Sequence, residues 1–238
     1  YEEFVNRKIA MIIEKPSSAM GSTNAYERMS DEIGIVPVSA HVPYYDMLEN
    51  PEAVLQDYKD MGCKYVVVPY LTEECRPGTE GWDATVKGIG KIGEAAKKLG
   101  IQLLYHNHDF EFEKLPDGQI GLDYMYENIP ADILQTELDQ CWVKYAGYEP
   151  VEYLQKYSGR SPVVHLKDFY IEGQQDGDPY ALIGLNEKEK RANTGFEFRP
   201  LGNGIQDIPS IITAAKAAGS KWFVVEQDQP SMGKNPLE

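Results

Sequence analysis

Residues 101–113 read IQLLYHNHDFEFE. An apolar run stops abruptly in ionisable groups. His106 and His108 flank an asparagine, and Asp109, Glu111 and Glu113 follow within five residues. Such a stretch is either a buried strand that falls into a polar loop or a strand that delivers side chains to a site. The rest of the chain decides between the two, because the same pattern recurs along it.

Five further short runs rich in β-branched residues read as buried strands: IVPVSAHV (35–42), KYVVVPYL (64–71), ILQTELD (133–139), PVVHLKD (162–168) and KWFVVEQD (221–228). Between them lie segments with helical periodicity and helix stop signals. NPEAVLQDYKDMG (50–62) has an Asn cap, a proline at the first helical position and a closing glycine. GWDATVKGIGKIGEAAKKLG (81–100) and DIPSIITAAKAAG (207–219) end in the same way. Continuous apolar strands alternating with helices mean a parallel sheet covered by helices. No GxGxxG follows the early strands, so a dinucleotide-binding open sheet has no support. A (β/α)8 barrel explains why strand after strand ends in a polar group, since barrel sites are built at that rim. The expectation is therefore one α/β TIM-barrel domain over residues 1–238. Only six strands are legible, so the first two βα units are expected to be lacking, upstream, or altered within residues 1–30. Residues 170–200 are polar and aperiodic and read as a long loop on the catalytic face.

Bulk composition narrows the function. Lys plus Arg is 23 against 38 Asp plus Glu, a net charge of -15, which leaves little material for a basic nucleic-acid face. Three cysteines without a CxxC pair argue against a disulfide framework and for a reducing, cytoplasmic setting, with a periplasmic one compatible. No run of about 18 apolar residues is present, so no membrane span is expected. The composition leaves homo-oligomerisation open.

All four histidines, His41, His106, His108 and His165, fall in the last residues of expected strands. Glu137, Asp139, Asp168, Glu226 and Asp228 share those ends. Side chains two apart on a strand face the same way, so His106 pairs with His108, Glu137 with Asp139, His165 with Lys167 and Glu226 with Asp228. Imidazoles and carboxylates from separate strands make a mixed nitrogen/oxygen donor set, suited to Mn, Zn, Co, Fe or Mg.

LLYHNHDFEFE, ELDQCWV, VVHLKDF, PLGNGIQD and WFVVEQD, in that order, resemble the xylose-isomerase-like TIM barrels of the sugar phosphate isomerase/epimerase family. That superfamily includes inosose dehydratases, tagatose-type 3-epimerases and endonuclease IV. The resemblance runs from about Ile35 to the C-terminus. It implies one divalent metal, with Asp139, His165 and Glu226 matching three ligands. His106 occupies the place of the family's first glutamate, which leaves His106, His108 and Glu111 as alternatives there. The implied chemistry is proton abstraction beside a metal-polarised carbonyl of a sugar or sugar phosphate. Glu226 or Glu111 would act as base and Lys167 as stabiliser of the enediolate. His41, His108, Tyr70, Trp142 and Asp168 would contact the substrate. Isomerisation or epimerisation is the first expectation, with dehydration and a non-catalytic sugar-binding barrel as rivals. An endonuclease-like reaction would need more metal ligands and a basic groove.

Overall fold

A computed structural model of the chain describes residues 10–14, 36–172, 195–229 and 231–233. They fall into two compact units, Tyr1–Glu137 and Leu138–Glu238.

The first unit is a parallel sheet with alternating helices. Its elements are β1 (Ala10–Glu14), β2 (Val36–His41), α1 (Tyr44–Leu48), α2 (Pro51–Asp60), β3 (Tyr65–Val68), α3 (Trp82–Leu99), β4 (Gln102–His106), α4 (Gly121–Asn128) and β5 (Leu134–Asp139), within which the division falls. The strands lie side by side in chain order, each parallel to the next. The N-terminal segment, expected to be atypical, contributes β1, a short strand beside β2; the remainder of residues 1–30 lies outside the described residues. Register aligns the strand ends: His41 lies beside Val67, Val67 beside Leu104, and His106 beside Glu137. Side chains at matched register share a face, so three polar strand ends converge while the apolar residues before them fill the sheet.

The helices begin and end where the sequence signals place them. Asn50 accepts from the backbone N–H of Ala53 at the start of α2, with Pro51 in the first turn. In α3, Trp82, Val86, Ile89, Ile92 and Ala96 form the buried stripe, and Gly100 closes the helix at φ 75°, a conformation that glycine adopts without Cβ strain.

The second unit continues from the end of β5 into α5 (Gln140–Tyr145) and α6 (Pro150–Lys156). It then holds β6 (Val163–Leu166), β7 (Asp168–Ile171), β8 (Phe196–Arg199), α7 (Ile208–Ala217) and β9 (Trp222–Val225). β6 pairs parallel with β9, and His165 lies beside Val224. The stretch expected as a loop over 170–200 is corrected at both ends: β7 and β8 pair antiparallel, from Asp168 with Arg199 to Ile171 with Phe196. The signal was present in the aromatic alternation of FYI and FEFR. It becomes strand-like only once the two distant segments meet. Residues 173–194 of that stretch lie outside the described residues. Cys141, Trp142 and the hairpin's own Phe169, Phe196 and Phe198 form a buried hydrophobic cluster.

A carboxylate ties this hairpin to the loop that follows it. Asp168 is fully buried and accepts from the backbone N–H groups of Phe169, Gly202, Gly204 and Gln206. That fills its acceptor capacity, so Asp168 holds the PLGNGIQ loop rather than reaching for a sugar, a correction to the expected substrate contact. The chain passes so close that a Cβ on Gly204 would overlap Asp168 Oδ1 and the Phe169 carbonyl oxygen. Gly204→Ala is therefore expected to lower stability by about 2 kcal/mol in denaturant titration. An unchanged midpoint would mean that the loop is not clasped.

Among the described residues, no helix is long and apolar enough to cross a membrane.

Candidate functional site

In the first unit the ends of β2, β4 and β5 bring together His41, His106 and Glu137, all buried. His41 Nε2 lies 2.7 Å from Glu137 Oε1, and His106 Nδ1 lies 3.7 Å from the same oxygen. The two imidazoles meet edge to face at 5.5 Å between ring centroids. Their ligating atoms and the carboxylate oxygen all lie within 4.8 Å of one another. Glu137 was legible as a strand-end acid, but nothing in the sequence singled it out from Asp139, two residues on.

The continuation of β4 builds a different structure. His108 stacks on Phe110, with ring planes 4° apart, and Tyr70 meets both rings edge to face. Arg76 lies 4.0 Å above the Phe110 centroid and donates to the Tyr70 hydroxyl. Glu111 points elsewhere. Its fully buried carboxyl accepts from the Tyr105 hydroxyl and, at 2.8 Å, from the His108 backbone N–H. Tyr105 and His106 are consecutive on β4 and so face opposite sides of the sheet. Glu111 thus fixes the turn after β4. One partner, the Tyr105 side chain, lies on the face opposite His106, and the other is the His108 backbone, so the carboxyl braces the turn from both.

Burial pushes the Glu111 carboxyl up to about 8, against the opposing pull of its Tyr105 and His108 hydrogen bonds. An acid whose pKa is higher folded than unfolded binds more protons in the native state between the two values. Stability therefore falls as pH rises from the ordinary glutamate range through about 8. Glu111→Gln keeps the shape and the acceptor without the charge. It is expected to flatten this dependence, leaving the variant more stable than the parent at pH 9 by about 3 kcal/mol. Parallel melting curves from pH 5 to 9 for the two proteins would refute the assignment.

In the second unit, Asp139, His165 and Glu226 place their ligating atoms within 4.8 Å of one another. Asp139 ends β5 and caps α5: its Oδ1 accepts from the Cys141 N–H at 2.7 Å and the Trp142 N–H at 3.4 Å. His165 Nδ1 lies 2.7 Å from Glu226 Oε2. Lys167, two residues beyond His165 and only 2% exposed, lies 2.8 Å from Asp228, 3.2 Å from Glu226 and 3.8 Å from Asp139. Burial pushes the Asp139 carboxyl up to about 7, an effect reinforced by Glu226 and opposed by Lys167 and His165. Burial alone would pull Lys167 down. Glu226, Asp139 and Asp228 together outweigh it and hold the ammonium above the ordinary lysine range. Burial also raises Asp228.

Three carboxyls thus surround one permanent cation, an excess of two negative charges when all are ionised. One imidazole and several carboxylate oxygens form a donor set for a hard or borderline divalent ion. Asp228 completes this charge balance. Its pairing with Glu226 was legible, but its contact with Lys167 depends on how the chain turns after β9. Trp142 is corrected from a sugar platform to a core residue. It is fully buried, stacked 3° from parallel with Phe196, and lies under Lys167, whose Nζ is 5.5 Å from its ring centroid.

Comparison with known proteins adds three findings. Residues 21–237 match the family described as "Xylose isomerase-like TIM barrel". Among curated proteins, an inosose dehydratase from Geobacillus thermodenitrificans is 27% identical over 171 residues, which cover 71% of this chain and 53% of the relative. The chain thus spans about half the length of that relative. Among solved structures, a sugar phosphate isomerase/epimerase from Parabacteroides distasonis superposes with a TM-score of 0.74 at 20% identity, over 95% of this chain and 78% of that one. The IOLI protein, solved with a bound zinc atom, superposes with a TM-score of 0.65 at 18% identity, over 93% of this chain and 80% of that one.

Proposed function

Because the chain belongs to the xylose isomerase-like TIM-barrel family, we propose that it is a divalent-metal-dependent carbohydrate enzyme that removes a proton next to a sugar carbonyl. One observation carries this reading: Asp139, His165 and Glu226 converge from separate strand ends around a buried lysine. The donor set fits a divalent ion in kind and in charge. A zinc-bound structural neighbour and relatives named for carbohydrate reactions support it. When bound, the ion supplies Lewis-acid polarisation of the substrate carbonyl.

The protein's own groups then divide the work. Asp139 is pinned by two backbone N–H groups and serves as a fixed ligand. Glu226 is the most exposed carboxylate of the set, its side chain 27% accessible, and takes the proton. Lys167 stays charged, cannot act as a base, and holds positive potential where oxyanion charge develops.

Proton removal is common to isomerisation, epimerisation and dehydration. The curated relative named inosose dehydratase favours loss of water as the outcome, whereas the L-ribulose 3-epimerase among the structural neighbours keeps epimerisation as the second reading. Incubating the metal-loaded protein in D2O with an inosose and a panel of ketohexoses, followed by NMR, tests both. Deuterium entering the carbon beside the carbonyl is expected, together with an unsaturated product for dehydration or inverted stereochemistry for epimerisation. Turnover that survives complete chelation of metal would overturn the reading.

A further inference from the structure

We propose that Asp228 is a positioning residue: it draws the Lys167 ammonium aside and so keeps it from neutralising Asp139 and Glu226 in a divalent ion's stead. The inference rests on the metal-binding reading of that site and deepens it. All the residues involved belong to the second unit. A buried lysine among carboxylates competes with any other cation, because its ammonium is attracted to the same oxygens. A site that takes up metal therefore needs a group that holds the lysine off.

The root and stem of Lys167 are fixed. Its carbonyl accepts from Gln206 Nε2 at 2.9 Å, and the next residue is the clasped Asp168. Its Nζ lies 5.5 Å from the Trp142 ring centroid and 5.1 Å from that of Phe198. What is left to decide is where the ammonium points. A charge-assisted hydrogen bond from an ammonium to a carboxylate spans about 2.7–2.9 Å. Of the three carboxylates, Asp228 alone meets that distance, with Oδ2 at 2.8 Å. Glu226 Oε2, at 3.2 Å, already faces His165 Nδ1 at 2.7 Å. Asp139 Oδ2, at 3.8 Å, is beyond hydrogen-bond reach. The lysine is thus held most closely by the one carboxylate outside the proposed ligand set. The pull is away from the deepest ligand, since Asp139 is fully buried while the Asp228 side chain is 23% accessible. Without the charge of Asp228, Coulomb attraction would turn the ammonium toward Glu226 and Asp139.

The test follows the lysine and the metal separately. Asp228→Asn keeps the side-chain shape and removes the charge. In a crystal structure of the metal-free variant, Lys167 Nζ is expected within hydrogen-bond distance of Asp139 or in a shorter contact with Glu226. In calorimetric titration with Mn²⁺, the variant is expected to bind about tenfold more weakly than the parent. Adding Lys167→Met to Asp228→Asn should restore the parent's affinity or exceed it, because the competing cation is gone. A merely structural defect, or the loss of a direct metal ligand, would persist in the double variant. Asp228→Ser takes the place of Asp228→Asn if the latter fails to give the parent's circular dichroism. An ammonium that stays in place without the Asp228 charge, or a double variant that binds as weakly as the single one, would overturn the proposal. A parent that binds no Mn²⁺ would instead remove the metal-binding reading, and the position of Nζ alone would then decide whether Asp228 holds the lysine.

Discussion

Asp139→Asn is expected to weaken metal binding at the Asp139–His165–Glu226 site by more than about 100-fold, beyond the loss typical of a supporting residue, and to reduce turnover in parallel. The substitution is informative because it separates two roles of one side chain. Asp139 is both a proposed ligand and the cap of α5. The amide oxygen of asparagine still accepts from Cys141 and Trp142, so the helix start survives. Alanine would lose the cap as well, at a cost of about 1 kcal/mol. The buried acid is already pushed up to about 7, so replacing it with a neutral isostere leaves the metal-free fold as stable as the parent at pH 8, or more so. Isothermal titration with Mn²⁺ or Zn²⁺ and a melting curve without metal measure the two effects apart. An unchanged affinity at this site would remove Asp139 from the ligand set.

Lys167→Met is expected to produce opposite changes in binding and catalysis. Removing the ammonium leaves Asp139, Glu226 and Asp228 facing one another without their cation. The metal-free protein should lose about 3 kcal/mol at pH 8, and less at pH 5, where protonation relieves the repulsion. A divalent ion would then meet three uncompensated carboxyls, so metal affinity should rise. Turnover should nevertheless fall by about two to three orders of magnitude, the usual effect of losing one group that stabilises developing oxyanion charge. A purely structural lysine would give lower stability with restored activity on adding metal. A fall in metal affinity would contradict the charge balance itself.

The barrel architecture was legible because its signals are local and repeated. IVPVSAHV, KYVVVPYL and IQLLYHNH carry the same strand with the same polar ending, and Asn50 and Asp207 cap their helices as composition suggests. The β7–β8 hairpin was illegible for the opposite reason. FYI and FEFR lie more than twenty residues apart, and each is too short to show alternation alone.

At the site, strand endings identified the histidines and acids as a class but could not assign partners. Period-two alternation places Glu137 and Asp139 on one side of β5. Only pairing across strands shows that Glu137 faces His41 while Asp139 turns back to cap α5. The role of Asp168 is hidden in the sequence for a related reason. Its neighbour Lys167 meets the acids of the site, whereas Asp168 is claimed by backbone donors from residues 202–206, a long-range contact that leaves no trace in local composition. The size and aromaticity of Trp142 serve a core as readily as a sugar.

The clasp around Asp168 has an evolutionary corollary. Glu172 N–H donates to the Gly195 carbonyl at 2.8 Å, directly beyond the β7–β8 pairing, so the chain is stapled at the neck of the intervening segment. Below the staple, the four-donor grip on Asp168 fixes the residue next to Lys167. A Cβ at Gly195, which sits at φ 65°, would overlap the Glu172 carbonyl oxygen, so the staple constrains side chain as well as backbone. Descendants of this sequence that keep Lys167 in place are therefore expected to keep glycine at 195 and 204, the two points of the clasp with no room for a Cβ.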